Sequence, residues 1–318
     1  VFALKNLAPL SASVAALALL TTATASAETL VYVTGSVIGT VDSSSPATDN
    51  TVGGHGPLSY ALPAGFTAIG AEVSLGSQIL YLLASNGSSC QLFSTSISGN
   101  SGFAGVSAVD ASFSCTQPTG TGDLAFLNES GGGSTLDSYL VSSGEDILFV
   151  PPGGGTPTTL AITTPSGGEA NIQGVADVGT YPNDSQFGVD ASTQQLVQLQ
   201  LKLTSGTETN LGSLAQVTFF GRTSLDYSPA SQNLYLYTDG QLYSLSLSSF
   251  MASGGVATDV IAPLGAVPAG TLAMAAANGI SVSNNSNGDG GGGVFTPAAL
   301  LPLLSMAFLR RRRRTGSA

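Results

Sequence analysis

Short runs of alternating apolar and polar residues fill the chain from Leu30 to Ser283, and they come in pairs around turn-forming residues. Alternation with period two marks a strand with one face buried. The clearest pair is SLDYSPASQNLYLYTDGQLYSLSLSS, Ser224 to Ser249, where Leu234 and Leu236 precede Thr238-Asp239-Gly240 and Leu242, Leu245 and Leu247 follow it. Asp-Gly between two such runs predicts a tight hairpin. Tyr235, Tyr237 and Tyr243 add aromatic strand formers. Gln78 to Ser98 repeats the pattern around Asn-Gly, and Asp184 to Thr204 around Asp-Ala-Ser-Thr. Asp137 to Thr163 turns at Ser-Gly-Glu-Asp and again at a Pro/Gly cluster. Leu30 to Val41 and a final pair at Leu272 to Ser283 complete the set, and no amphipathic helix of ordinary length is predicted between them.

The hairpins begin about 40 to 65 residues apart. Hairpins recurring at that period predict an all-β fold, a β-propeller of about five blades with about four strands each. The blades fall near 66–115, 120–164, 171–219 and 222–265, with a fifth built from 271–283 and 29–63. Joining both chain ends in one blade closes the ring and removes exposed edges. A β-sandwich accommodates the same strand pattern and is the alternative. The repeats carry no WD40 or kelch signature.

The two ends break the pattern. Residues 1–27 place Lys5 before an Ala- and Leu-rich run that finishes in Ala25-Ser26-Ala27. This is the layout of a secretory signal peptide, cleaved by signal peptidase between Ala27 and Glu28. The domain is then 28–283, followed by a Gly/Asn-rich linker at 284–293 and an apolar segment with an arginine cluster at 294–318.

Charge sharpens this division. Of eight Lys and Arg residues, only Lys202 and Arg222 lie between Glu28 and Asp289, against nineteen acids, a net charge of −17 there. Such a body repels phosphate backbones, which excludes nucleic acid as a partner, and attracts divalent cations or basic partners. Two cysteines, Cys90 and Cys115, lie 25 residues apart. On an exported chain they predict a disulfide worth roughly 3 kcal/mol.

Candidate chemistry is sparse. There is no G-x-S-x-G or H-E-x-x-H motif and no metal-type cysteine spacing. His55, in VGGHGPL, is the single histidine and is read as an exposed loop residue. Glu145-Asp146 reads as a turn pair. Asn284 to Asp289, NNSNGD, offers closely spaced oxygen donors of the kind calcium takes, but the closing Glu of an EF-hand loop is missing and a linker is expected. No catalytic, cofactor or metal residue is assigned; calcium is the single cofactor the composition raises.

The tail is the most distinctive feature. Four glycines, Gly290, Gly291, Gly292 and Gly293, lead into the 16-residue apolar segment Val294 to Leu309. Five arginines follow it, Arg310, Arg311, Arg312, Arg313 and Arg314. Arginines on that side of an apolar helix stay cytoplasmic. In this three-part order the tail resembles the GlyGly-CTERM sorting signal of Gram-negative bacteria, although Pro297 and Pro302 interrupt the apolar run. The resemblance covers about 30 residues. It implies a membrane-inserted tail, cleavage by a rhombosortase-type intramembrane protease, and passage to the cell surface through type II secretion. A plain anchor holding the domain in the periplasm at the inner membrane is the alternative. The expected function is a surface-displayed binding or interaction domain. The alternatives are an extracellular hydrolase or lyase acting on polymers, which two or three carboxylates at one mouth of the ring would favour, and a passive surface or matrix component.

Overall fold

The computed structural model describes residues 28–50, 57–74, 78–98, 102–115, 122–127, 138–142, 146–151, 155–178, 185–202, 205–214, 217, 221–252 and 261–277. By contacts the chain divides into two units, Val1–Ser283 and Asn284–Ala318. The second unit, with the linker and the sorting segment, lies outside the described residues, as does the leader at 1–27. Among the described residues no helix is long and apolar enough to cross a membrane.

The fold is all-β and β-propeller-like. The chain opens with β1 (Thr29–Val33), β2 (Val37–Asp42), β3 (Ser45–Asn50) and the two-residue β4 (Leu58–Ser59), and both β3 and β4 pair with β2. A meander follows of β5 (Thr67–Val73), β6 (Ile79–Ser85) and β7 (Ser89–Ser98). Its outer position is filled by three two-residue pieces, β8 (Gly102–Phe103), β9 (Ser107–Ala108) and β10 (Phe113–Ser114), each antiparallel to β7. Next come β11 (Asp123–Phe126), β12 (Tyr139–Ser142), β13 (Asp146–Val150) and β14 (Thr158–Thr163). Then follow β15 (Ile172–Val178), β16 (Ser185–Asp190), β17 (Gln195–Leu201) and β18 (Ser205–Ser213). The last hairpin region supplies β19 (Thr223–Ser228), β20 (Asn233–Thr238), β21 (Gln241–Ser246), the helix α1 (Leu247–Ala252) and β22 (Ile261–Ala266). Finally β23 (Ala273–Ala276) returns to pair antiparallel with β1, Leu30 opposite Ala276 and Val33 opposite Ala273.

The alternation read from the sequence explains most of these strands. Thr238 lies opposite Gln241 across the Asp239-Gly240 turn, and Ser85 opposite Cys90 around Asn86-Gly87. Two features depart from it. Leu247 does not extend a strand. β21 stops at Ser246, whose hydroxyl accepts from the Ser249 N–H at 3.4 Å, and Leu247 begins the short helix with its side chain buried. A serine in that position caps the first turn of a helix, and this competes with continued alternation. The second departure is a parallel pairing of β14 with β18, Ala161 opposite Ser205 and Thr163 opposite Thr207. It fuses two antiparallel four-stranded runs into one eight-stranded sheet.

Among the described residues the edge strands β5, β11, β15, β19 and β23 meet one another. Each lies against the next, and β23 lies against β5, so the contacts form a cycle. Between neighbouring sheets sit apolar clusters. Val31, Ala275, Leu80 and Leu82 fill one gap; Leu234, Leu236, Phe187 and Val189 fill another. A buried side chain of that size contributes about 1.5–3 kcal/mol. Two glycines let these strands approach closely, and a side chain there would have to push a neighbour aside by a few tenths of an ångström. A Cβ on Gly70 of β5 would meet the Asp123 backbone at 3.0 Å, and one on Gly174 of β15 would meet Leu225 Cβ at 3.0 Å.

Cys90 on β7 and Cys115 just after β10 form a disulfide, with Cα atoms 5.6 Å apart. It matches the bridge expected from the sequence, and the sheet shows why it matters. The return segment 102–115 has only three two-residue pairings with β7, and the bond fixes its far end. Replacing both cysteines with alanine is expected to lower unfolding free energy by roughly 3 kcal/mol. Hydrogen exchange should increase first over 102–115. Denaturant titration with peptide-resolved exchange checks both outcomes.

Candidate functional site

The edge strands that meet leave a row of backbone N–H groups along the centre, because the ladder bonds of each sheet use only one of their edges. A buried N–H without an acceptor costs about 1–3 kcal/mol. Three acids answer this demand. Glu72 on β5 accepts from the Phe126 N–H of β11 at 2.7 Å through Oε2. Asp123 on β11 accepts through Oδ2 from Val175 N–H of β15 at 3.0 Å and Leu225 N–H of β19 at 2.7 Å. Asp226 on β19 accepts from Ala276 N–H of β23 at 2.6 Å through Oδ2, and from its neighbour Tyr227 N–H at 2.7 Å through Oδ1. All three side chains are buried.

The electrostatics of the centre follow from burial. Asp123 is pushed well above the usual carboxylate range, first by desolvation and further by the charge of Asp226; the bonds from Leu225, Val175 and Leu124 N–H groups pull the other way. Its Oδ1 is buried with no hydrogen-bond partner among the described residues. A small cavity of about 10 Å³, room for about one water, lies beside Asp226. It is walled by Leu30, Ser224, Tyr235, Tyr237 and Met274 as well. Among the described residues no group of three or more His, Cys, Asp or Glu side chains is placed to hold a metal ion.

Two further acids join sheets away from the centre. Asp110, on the return segment, accepts from Leu92 N–H at 3.2 Å and from the Tyr139 hydroxyl of β12 at 2.7 Å. Burial raises Asp110, and the pair raises Tyr139 strongly as well, desolvation being the larger cause. Glu28 is gripped by the hydroxyls of Ser228, of Ser231 at 2.6 Å and of Tyr235 at 2.8 Å. On β18, Glu208 is buried, its Oε2 unpartnered among the described residues; desolvation, then the charge of Asp190, push it up to about 7.

Of the residues singled out in the sequence, Cys90 and Cys115 are bonded and Glu28 is the first described residue. Ala25 and Ala27 of the leader, His55 and Glu145 lie outside the described residues. So do the tail glycines Gly290, Gly291, Gly292 and Gly293 and the arginines Arg310, Arg311, Arg312, Arg313 and Arg314. Asp146 sits half-buried at the start of β13, opposite Ala161. Sequence reasoning missed Glu72, Asp123 and Asp226. Their one local signal is an acid embedded in an apolar strand, as in AIGAEV, GDLAF and SLDYS.

No family model matches the chain, and no curated protein matches it. Solved structures similar in fold are of β-propeller type. One is the PQQ-bound aldose sugar dehydrogenase of Streptomyces coelicolor, with 13% identity over 83% of this chain and 88% of that one and a TM-score of 0.41. A chain of a nidogen/laminin complex has 11% identity over 69% and 73%, with a TM-score of 0.42. YCF48 bound to a D1 peptide has 10% identity over 70% and 64%, with a TM-score of 0.30. At such values the likeness carries no information about activity or ligand.

The buried acids can be tested individually. Asp123→Ala leaves the Val175 and Leu225 N–H groups without an acceptor and is expected to cost about 2–6 kcal/mol. Asp123→Asn keeps an oxygen there without the charge and should stay within about 1 kcal/mol of the parent near neutral pH. Urea titration separates the two, and equal damage would contradict the acceptor role. Glu208 binds its proton more tightly folded than unfolded, so its contribution is fully present below pH 4.5 and lost as pH rises towards 7. Unfolding midpoints should therefore fall across that window, less steeply in Glu208→Gln.

Proposed function

We propose that this chain is an exported, cell-surface-displayed binding or interaction domain, built as a five-bladed β-propeller that both chain ends close. The blade count is supported by the five edge strands, whose contacts run in a cycle, and by the pairing of β1 with β23. Export is supported by the disulfide, a bond favoured in oxidising compartments, together with the leader-like 1–27. The tail pattern at 290–314 supports sorting by a rhombosortase-type protease and type II secretion.

One observation carries the binding reading. The acids at the centre, Glu72, Asp123 and Asp226, are acceptors for backbone N–H groups of adjacent strands. The centre thus serves as a frame. Recognition falls to the loops at the strand ends, where a rigid scaffold holds variable segments.

Two measurements test the proposal. Intact-mass analysis of surface-released material should give a chain that starts at Glu28, ends within or near Gly290, Gly291, Gly292 and Gly293, and lacks Arg310 to Arg314; a retained arginine cluster would instead identify an anchor. The purified domain should be retained on one member of an affinity panel of surface polymers without degrading it or releasing new reducing ends. Release of reducing ends would replace the binding reading with that of a hydrolase or lyase.

A further inference from the structure

The first and last described strands meet in one sheet, and a third strand from the neighbouring sheet holds them both. β1 and β23 pair over four residues, Leu30 to Val33 against Ala273 to Ala276. Four rungs are few for a contact between segments separated by the whole domain, given the loop-closure entropy it must offset. β20 lies beside this pair. Two of its side chains, Tyr235 and Tyr237, stand two residues apart and so share one side of their strand. Both rings pack in the same apolar cluster as Leu30, Tyr32 and Met274.

Their hydroxyls diverge. The Tyr235 hydroxyl donates to Glu28 Oε2 at 2.8 Å, and the Tyr237 hydroxyl donates to the Thr271 carbonyl at 2.6 Å. Glu28 immediately precedes β1, and Thr271 lies two residues before β23. Glu28 is in turn fixed to the residue that follows β2. Its N–H donates to Ser43 Oγ at 2.9 Å, and its carbonyl accepts from the Ser43 N–H at 2.8 Å. Ser231, in the turn that leads into β20, donates to the same Oε2 as Tyr235, and Ser228, which ends β19, donates to Oε1 on the other side of the carboxylate. Asp226, on the strand paired with β20, accepts from Ala276 N–H.

We infer that β20 is the clasp of ring closure. Tyr235 holds the start of the domain and Tyr237 holds its end, so the β1–β23 seam opens and recloses as one local unit. The clasp is polar at both attachment points, and Glu28 is only half-buried. Opening therefore exposes groups that water can satisfy. What opening still costs is the apolar burial of the seam itself, Leu30, Val31 and Val33 against Ala273 to Ala276.

The test is hydrogen exchange by mass spectrometry on the full chain, comparing the parent with Tyr235→Phe, Tyr237→Phe and the double variant. Each change removes one hydroxyl and keeps the ring. A clasp predicts exchange in 29–33 and 273–276 about five-fold faster in either single variant and tenfold or more in the double. Peptides over β6 and β12 should be unchanged. Equal acceleration in every peptide would show that these hydroxyls stabilise the whole domain and would overturn the inference, as would no change at the seam. If the double variant is not recovered folded, Ser231→Ala, which removes one small hydroxyl from the Glu28 attachment, reads the same local pattern against the same distant peptides.

Discussion

A ring of sheets has an unavoidable cost at its centre. Every innermost strand turns one edge away from its own ladder, and those N–H groups are cut off from water. Here the cost is met by carboxylates that cross from one innermost strand to the next. Glu72 reaches β11, Asp123 reaches β15 and β19, and Asp226 reaches β23. The remaining architecture depends on this arrangement. Gly70 and Gly174 bring the strands close enough for a short side chain to bridge them. Each of these acids accepts from backbone N–H groups.

Much of the strand pattern is legible in the chain alone. Alternation and turn residues are local properties, so the hairpin at 233–246 and its Asp-Gly turn are visible in a dozen residues. The pairing of the two cysteines follows from there being only two on a chain with a leader-like start. What depends on distance in space is not legible there. Asp123 is separated by 102 residues from Leu225, whose N–H it accepts. Glu28 is separated by 207 from Tyr235. The parallel β14–β18 pairing likewise joins segments whose own patterns say only that each is a strand. Leu247 reads as a strand residue because its burial fits a strand and a helix start equally well, and Ser246 decides between them.

The acids bear directly on function. A carboxylate near a ring centre invites a catalytic reading, and sequence alone does not exclude one. In the structure one oxygen of each acid meets backbone donors from adjacent strands, and burial raises Asp123, whose Oδ2 joins β11 to β15 and β19. A raised carboxylate is therefore a sign of structural stress here as much as of chemistry, and geometry is needed to tell the two apart. The outer return segment is held in a similar way. Asp110 fastens it to β7 through Leu92 and to β12 through Tyr139, while the disulfide holds its end.

The antiparallel sense of the β1–β23 pair has a mechanical consequence. Leu30 faces Ala276, and the Ala277 N–H donates to the Thr29 carbonyl at 3.0 Å, so the start of β1 and the end of β23 lie at the same end of the pair. A load applied between them would meet the Glu28 attachments first and then peel the rungs apart in succession from Thr29 and Ala277, instead of shearing all of them at once. The ring would therefore yield to traction at a lower force than its thermal stability implies, and the first bonds to part would be those at the join.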